Sequence, residues 1–134
     1  MNAINSIKIG MTAIIGGIGW FLGGFDTMMI ALLVFMGVDY ISGVMCAITN
    51  KKLSSKVGAK GILKKVLIIL LVGLTNILGT ATGIEGLRYI IISFYLANEG
   101  ISIIENASVL GLPVPQKIKD VLEQLKQDSK GDEE

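Results

Sequence analysis

The sequence predicts an all-α integral membrane protein, a helical bundle of about four transmembrane helices with a basic cytoplasmic loop and a short C-terminal amphipathic helix. Hydrophobic residues make up 51% of the 134 residues, and only 17% are charged. The hydrophobic residues form four long runs, each close to the roughly 20 residues that a helix needs to cross a bilayer. Most charged residues fall between these runs or after the last one.

The predicted spans cover residues 9–25, 28–49, 66–83 and 87–110. The first is short and rich in glycine, and Lys8 before it allows an alternative interpretation as a signal peptide. A retained span is favoured because no small-x-small cleavage site follows and the next apolar run begins at once. We expect residues 1–112 to form the transmembrane domain and residues 113–134 to form a cytoplasmic amphipathic helix with a disordered tail.

The segment between the second and third spans, residues 50–65, contains six lysines and no acid. By the positive-inside rule this segment is cytoplasmic, and with four spans both termini are cytoplasmic too. A helix that begins near Ser54 or Ser55 would place a lysine on one face at every fourth residue. Such a helix would lie on anionic lipid head groups, although the lysines could also act only as a topology signal. The predicted lipid contacts are Lys52, Lys56, Lys60, Lys64 and Lys65.

Three of the spans contain polar residues at helical spacing. Polar stripes in apolar helices normally face the interior of a bundle or a water-filled cavity. The acids Asp39, Glu99 and Glu105 outnumber Arg88, the one basic residue within the spans. They are therefore protonated, paired with a loop lysine, or exposed to water in an assembled lumen. The candidate pore or assembly residues are Asp39, Gly43, Asn76, Arg88, Tyr95, Glu99, Ser102, Glu105 and Asn106.

An alternative role for these polar residues is hydrogen bonding between helices, for instance an ion pair of Asp39 or Glu99 with Arg88. Two GxxxG pairs would allow helix backbones to approach closely, either within one bundle or between copies. These pairs are Gly19 with Gly23 and Gly79 with Gly83.

The C-terminal segment has apolar residues at helical spacing, namely Ile118, Val121, Leu122 and Leu125. A helix of barely three turns is marginal alone, so it would lie on the membrane or pair with its copies. Residues 129–134 are expected to be disordered.

Catalytic and metal chemistry are not expected. The chain has one cysteine, Cys46, and no histidine, so it lacks the usual residues for a disulfide, a zinc site or thiol catalysis. We expect no enzyme activity, no cofactor and no nucleic-acid partner.

Three blocks of sequence resemble the small phage holins of the toxin-secretion and phage-lysis group, which includes holin-like proteins beside clostridial toxin genes. The blocks are DYISG at residues 39–43, KKLSSKVGAKGILKK at residues 51–65 and FYLANEGISIIENASVLGLPVP at residues 94–115. The positions that match the family pattern are Asp39, Gly43, Ser54, Ser55, Lys56, Gly58, Gly61, Lys64, Lys65, Glu99, Ser102, Glu105, Asn106, Gly111 and Pro115.

The resemblance implies a protein that forms homo-oligomers in the bacterial cytoplasmic membrane. Such a protein opens lesions that release an endolysin or a toxin, without needing to bind the endolysin directly. A small accessory subunit of a larger membrane complex is the main alternative, because it would use the same polar faces as partner contacts. A transporter is disfavoured, since internal repeats and interrupted helices are not evident.

Overall fold

The computed structural model describes residues 2–131, and this part of the chain forms five helices. They are α1 (Ala3–Leu22), α2 (Thr27–Thr49), α3 (Ser55–Thr82), α4 (Leu87–Val109) and α5 (Gln116–Lys130). The first four are long and apolar enough to cross a membrane. The predicted all-α bundle with four spans is thus confirmed.

Polar caps define where α1, α2 and α3 begin, with Asn2 capping α1. The Asp26 side chain accepts a hydrogen bond of 3.0 Å from the Met29 amide at the start of α2. The Ser54 hydroxyl accepts one of 3.2 Å from the Val57 amide at the start of α3. Each side chain satisfies a backbone N–H that has no partner within the first turn of its helix.

The basic segment is not a separate loop but is mostly the first part of the third span. Only residues 50–54 link α2 to α3, and α3 then continues without interruption from Ser55 to Thr82. This agrees with the predicted helix start near Ser54 or Ser55, but the third span was predicted to begin at residue 66, and no helix boundary lies there. Gly58 and Gly61 weaken a helix without ending it. We call the end of the bundle that carries residues 50–54 the inner end, and the opposite end the outer end.

Two glycines that were predicted to pack helices instead end them. Gly23 terminates α1 with φ of 81° and Gly83 terminates α3 with φ of 72°. This left-handed backbone favours glycine, so it explains both residues without a GxxxG contact. Of their partners, Gly19 faces the Phe25 ring, and Gly79 lies beside the Ile84 carbonyl in the next link.

The hydrophobic core lies in the outer half of the bundle, where α2, α3 and α4 pack together and the last residue of α1 joins them. Its buried members are Leu22, Met29, Leu32, Met36, Ile68, Val72, Ile92 and Leu96. Most of α1 takes no part in this core, because its residues from Ala3 to Ile18 are all exposed. Close to its outer end, the Phe21 ring packs where Gly73 of α3 has no side chain.

Helix α5 folds back along α4 instead of leaving the bundle. The chain reverses at Gly111, whose φ is 85°, and α5 then packs against α4. A Cβ atom on Gly100 would lie 2.7 Å from Leu122 Cδ2, so the absence of a side chain at Gly100 lets the two helices approach closely.

Helix α5 also differs from its prediction in length and in the side chains that it buries. It extends to Lys130, so Ser129 and Lys130 are helical where disorder was predicted, and residues 132–134 lie outside the described part. Leu122 and Leu125 are half-buried, but Ile118 and Val121 remain 49% and 57% exposed. Only part of the predicted apolar face therefore contacts the bundle.

Candidate functional site

A buried ionic triad joins the three central helices. The Lys65 Nζ atom of α3 lies 2.7 Å from Asp39 Oδ2 of α2 and 2.6 Å from Glu99 Oε2 of α4. The side chains of Lys65 and Asp39 are each only 16% exposed, and that of Glu99 is 9% exposed. We refer to these three residues as the triad.

The triad lies within the spans rather than at their ends. Each of its members is about ten residues from the inner end of its helix, which is roughly 15 Å along the helix axis. Apolar side chains of the core cover the triad on its outer side. Three ionised groups in this position would sum to one negative charge, which a single bundle leaves uncompensated.

Lys65 was predicted to contact lipid, and an ion pair of Asp39 or Glu99 with Arg88 was one alternative. In the structure Lys65 pairs with both acids, and Arg88 pairs with Asp26. A signal for the Lys65 pairing was present in the sequence. Lys52, Lys56, Lys60 and Lys64 repeat every four residues, while Lys65 lies one residue, or about 100°, away from that stripe. Pairing with a lysine of the basic segment was one of three options left open for the acids, and it is observed for Asp39 and Glu99.

Asn106 extends the polar site toward the inner end. Its Nδ2 atom donates to Ser42 Oγ at 2.8 Å and to the Asp39 backbone and carboxylate oxygens at 3.4 Å each. The Cys46 thiol donates to the Asn106 carbonyl oxygen at 3.3 Å. Gly43 lies beside this amide, which would be in ordinary contact, at 3.8 Å, with a Cβ at that position. Sequence reasoning missed Ser42, although it follows Asp39 by three residues and so lies near it on α2.

A cavity of about 410 Å³ lies beside the triad, between α2, α3 and α4. The three triad residues line it, together with Tyr95, Ser102 and Asn106 from the predicted polar face of α4. Lys52 and Lys64, both exposed, also line it. The cavity is large enough for several water molecules and provides charged groups to solvate them. No group of three His, Cys, Asp or Glu side chains that could hold a metal occurs within residues 2–131.

A second polar contact, at the outer end of the bundle, joins α4 to the end of α1 and the link that follows it. Arg88 donates to both carboxylate oxygens of Asp26, at 2.8 and 3.1 Å, and to the Gly24 carbonyl at 2.9 Å. It also donates to the Leu22 carbonyl. Hydrogen bonding from the Arg88 guanidinium holds the pKa of Asp26 below its usual value. Arg88 thus satisfies carbonyls that the end of α1 leaves without helical partners.

Asn76 supports the same outer contact by donating to the Phe21 carbonyl at 3.0 Å. Asn76 and Arg88, both predicted as pore candidates, therefore do not line the triad cavity. Glu105 also lies apart from the triad, exposed on α4 in a groove that Lys119 and Glu123 of α5 complete. The structure separates the candidates into an inner cluster around the triad, an outer contact around Arg88, and Glu105.

Four apolar spans with a shared ionic cluster define a small polytopic helical membrane protein. The chain belongs to the bacteriophage holin family, which its residues 16–127 match. This membership supports a holin-like role in a membrane, and the family is one of non-enzymatic membrane proteins. No solved structure matches the chain.

The related proteins have no assigned function. An uncharacterised 14.9 kDa protein from the nagH 3′ region of Clostridium perfringens is 42% identical over 92% of this chain and 96% of its own length. An uncharacterised Listeria innocua protein is 39% identical over 96% of this chain and 91% of its own. The Bacillus subtilis protein YtkC, also uncharacterised, is 34% identical over 81% of each chain.

Proposed function

We propose that the protein is a holin that assembles into homo-oligomers in the bacterial cytoplasmic membrane and opens lesions that release an endolysin or a toxin at host lysis. The observation that carries this proposal is the triad beside its cavity. Charged groups within apolar spans are costly in lipid and mark water-filled or protein-lined paths. The family membership supports the same role.

A single chain leaves helix surface exposed and the charge of the triad uncompensated, and both features favour assembly. One bundle of this size has a cavity for water but no opening wide enough for a folded enzyme. Helix α1 contacts the rest of the chain only near its outer end and leaves both faces available to lipid or to other copies. We therefore infer that the lesion is built by many copies, with the triad facing its aqueous side.

The lysine stripe on α3 supports an orientation and a lipid partner. Lys52, Lys56 and Lys60 are exposed near the inner end of the bundle, whereas Lys64 is exposed close to the level of the triad. With this end on the cytoplasmic side, Lys52, Lys56 and Lys60 reach the anionic head groups of the inner leaflet, and both termini begin in the cytoplasm. Coupling to an endolysin then needs no direct contact, because the enzyme only has to pass through the opening.

The test is expression in a bacterial host that also makes a peptidoglycan hydrolase without an export signal. Expression of this chain should stop growth abruptly and allow the trapped hydrolase to lyse the cells. Cells with the hydrolase alone should keep growing, and cells with this chain alone should lose membrane integrity without dissolving their walls. An accessory subunit would neither stop growth nor release the hydrolase, and that result would overturn the proposal.

A further inference from the structure

Helix α5 extends along α4 to a level within the apolar spans, where a charged helix would not be expected. Leu122 lies against Gly100, the residue after Glu99 of the triad. Leu125 packs against the hydrophobic core, which lies entirely on the outer side of the triad. Helix α5 therefore passes the level of the triad and enters the outer half of the bundle.

The side chains that α5 carries to this depth include unpaired charges. Past Leu122 the helix bears Glu123, Lys126, Asp128 and Lys130. None of them, nor the earlier charges of α5, has an ion-pair partner among residues 2–131. Three of these four side chains are exposed, and Lys126 is half-buried. Unpaired charges in contact with lipid tails are strongly unfavourable, so water has to cover this face.

We propose that α5, docked on α4, turns its charged face to an aqueous lumen enclosed by several copies of this chain. This inference rests on the proposed function, since the lumen is that of the lesion. It identifies α5 as a wall of the opening, whereas the sequence alone suggested a cytoplasmic helix that lies on the membrane or pairs with its copies. The lysines and acids of α5 are mixed along the helix, so the wall would favour neither anionic nor cationic cargo strongly.

Two features support a docked helix over one released into the cytoplasm. Gly100 is buried, and its lack of a side chain leaves the space that Leu122 fills. The reversal at Gly111 is tight, with the Gly111 amide donating to the Ser108 carbonyl at 3.0 Å and the Leu112 amide donating to the Ala107 carbonyl at 2.9 Å. The short connection that follows keeps α5 beside α4.

The experiment measures the surroundings of single nitroxide labels on the full chain, in a Cys46→Ser background, in phosphatidylglycerol vesicles with an entrapped dye. Labels are placed at Gln127 on the outward face of α5, at Leu125 on its packed face, and at Leu74, an exposed apolar position on α3. Collisions with a water-soluble nickel complex report contact with water, and collisions with oxygen report contact with lipid.

In leaking vesicles we expect Gln127 to collide with nickel several-fold more often than Leu74, and Leu125 to be protected from both probes. A Gln127 label that favours oxygen would place α5 against lipid and overturn the inference. Nickel access at both Gln127 and Leu125 would show α5 released, and would overturn it too. In both cases dye leakage leaves the proposed function standing, whereas vesicles that never leak would overturn the function and this inference together.

A substitution at the docking contact provides an independent check. Gly100→Val should push Leu122 away and open Leu125 to nickel several-fold. Gly37→Val is the matched control, because a Cβ on Gly37 meets nothing within 4 Å, and it should leave Leu125 protected. If Leu125 is equally protected in both variants, the Gly100 contact does not hold α5 on α4, and the support drawn from that contact is overturned.

Discussion

At the scale of single residues, the stability of the folded chain depends on Lys65. One ammonium group neutralises parts of two carboxylates that come from different spans. Removing either acid leaves a balanced pair, but removing the lysine leaves two buried acids without a cation. The three residues of the triad are therefore not equivalent, although all three are ionisable and largely shielded from solvent.

Lys65→Met should destabilise the protein by about 3–5 kcal/mol, the usual cost of stranding buried charges. Asp39→Asn and Glu99→Gln should each cost less, because a lysine–carboxylate pair remains. Lys64→Met is the control, since the neighbouring lysine is exposed and should change stability by no more than about 0.5 kcal/mol. The measurement is denaturant unfolding in detergent together with the amount of membrane-inserted protein. Equal stability of the Lys65 and Lys64 variants would contradict a structural role for the triad.

The Asp26–Arg88 contact should make stability depend on acid pH. Because hydrogen bonding lowers the pKa of Asp26 below 3.8, its stabilising effect is present above that value and is lost as the pH falls through the lower folded-state pKa. Asp26→Asn keeps the helix cap but removes the charge, and should cost no more than about 1 kcal/mol at pH 7, since the Asp26 side chain is 54% exposed.

The difference in unfolding free energy between the parent and Asp26→Asn should shrink as the pH falls below about 4. Asp120→Asn is the control, because Asp120 has no ion-pair partner among residues 2–131. A difference that stays constant into strong acid would show that the charge of Asp26 does not stabilise the fold.

At the scale of helices, apolar length and caps predicted the four spans and the start of α3 at Ser55, because these signals are local. The packing partner of a helix is not a local property. The spacing of Leu122 and Leu125 predicted an amphipathic α5 but could not indicate that Gly100 leaves room for it. Similarly, the direction of the Lys65 side chain follows from the continuity of α3 through residue 65, whereas the third span was predicted to begin at residue 66.

The lysine stripe should bind anionic membranes as a helical surface. In a peptide of residues 50–65, changing Lys56, Lys60 and Lys64 to Gln should weaken binding to anionic vesicles by about 3 kcal/mol at low salt, or about 1 kcal/mol per lysine. High salt should remove most of the difference, because it screens exposed charges. A scrambled peptide of the same composition distinguishes the effect of lysine charge on binding from the effect of lysine spacing. Equal binding of the parent and the Gln peptide would reduce the stripe to a topology signal.

At the scale of the whole molecule, charge and apolar surface are segregated by position. The lysines of residues 50–60 lie toward the inner end, the core lies in the outer half, and α1 stands largely apart from both. This arrangement gives the monomer an orientation while leaving it with little enclosed polar space. Assembly into a lesion is our proposal for how the exposed surfaces are used.

The orientation can be checked with cysteines at Asn2 and Leu112 in a Cys46→Ser background. Leu112 suits labelling because it is exposed in the link after α4. Both should resist an impermeant thiol reagent in intact cells before lesions form, while a cysteine at Ile84 in the outer link should react. Labelling of only one of the two inner positions would indicate an odd number of spans.

The most direct test of lesion formation is release of a folded hydrolase from vesicles that contain only this purified chain and anionic lipid. We expect release of the enzyme together with small dyes, rising more steeply than in proportion to the protein-to-lipid ratio, because several copies build each opening. Vesicles that stay sealed at every ratio, or that lose small ions while retaining the enzyme, would contradict the account.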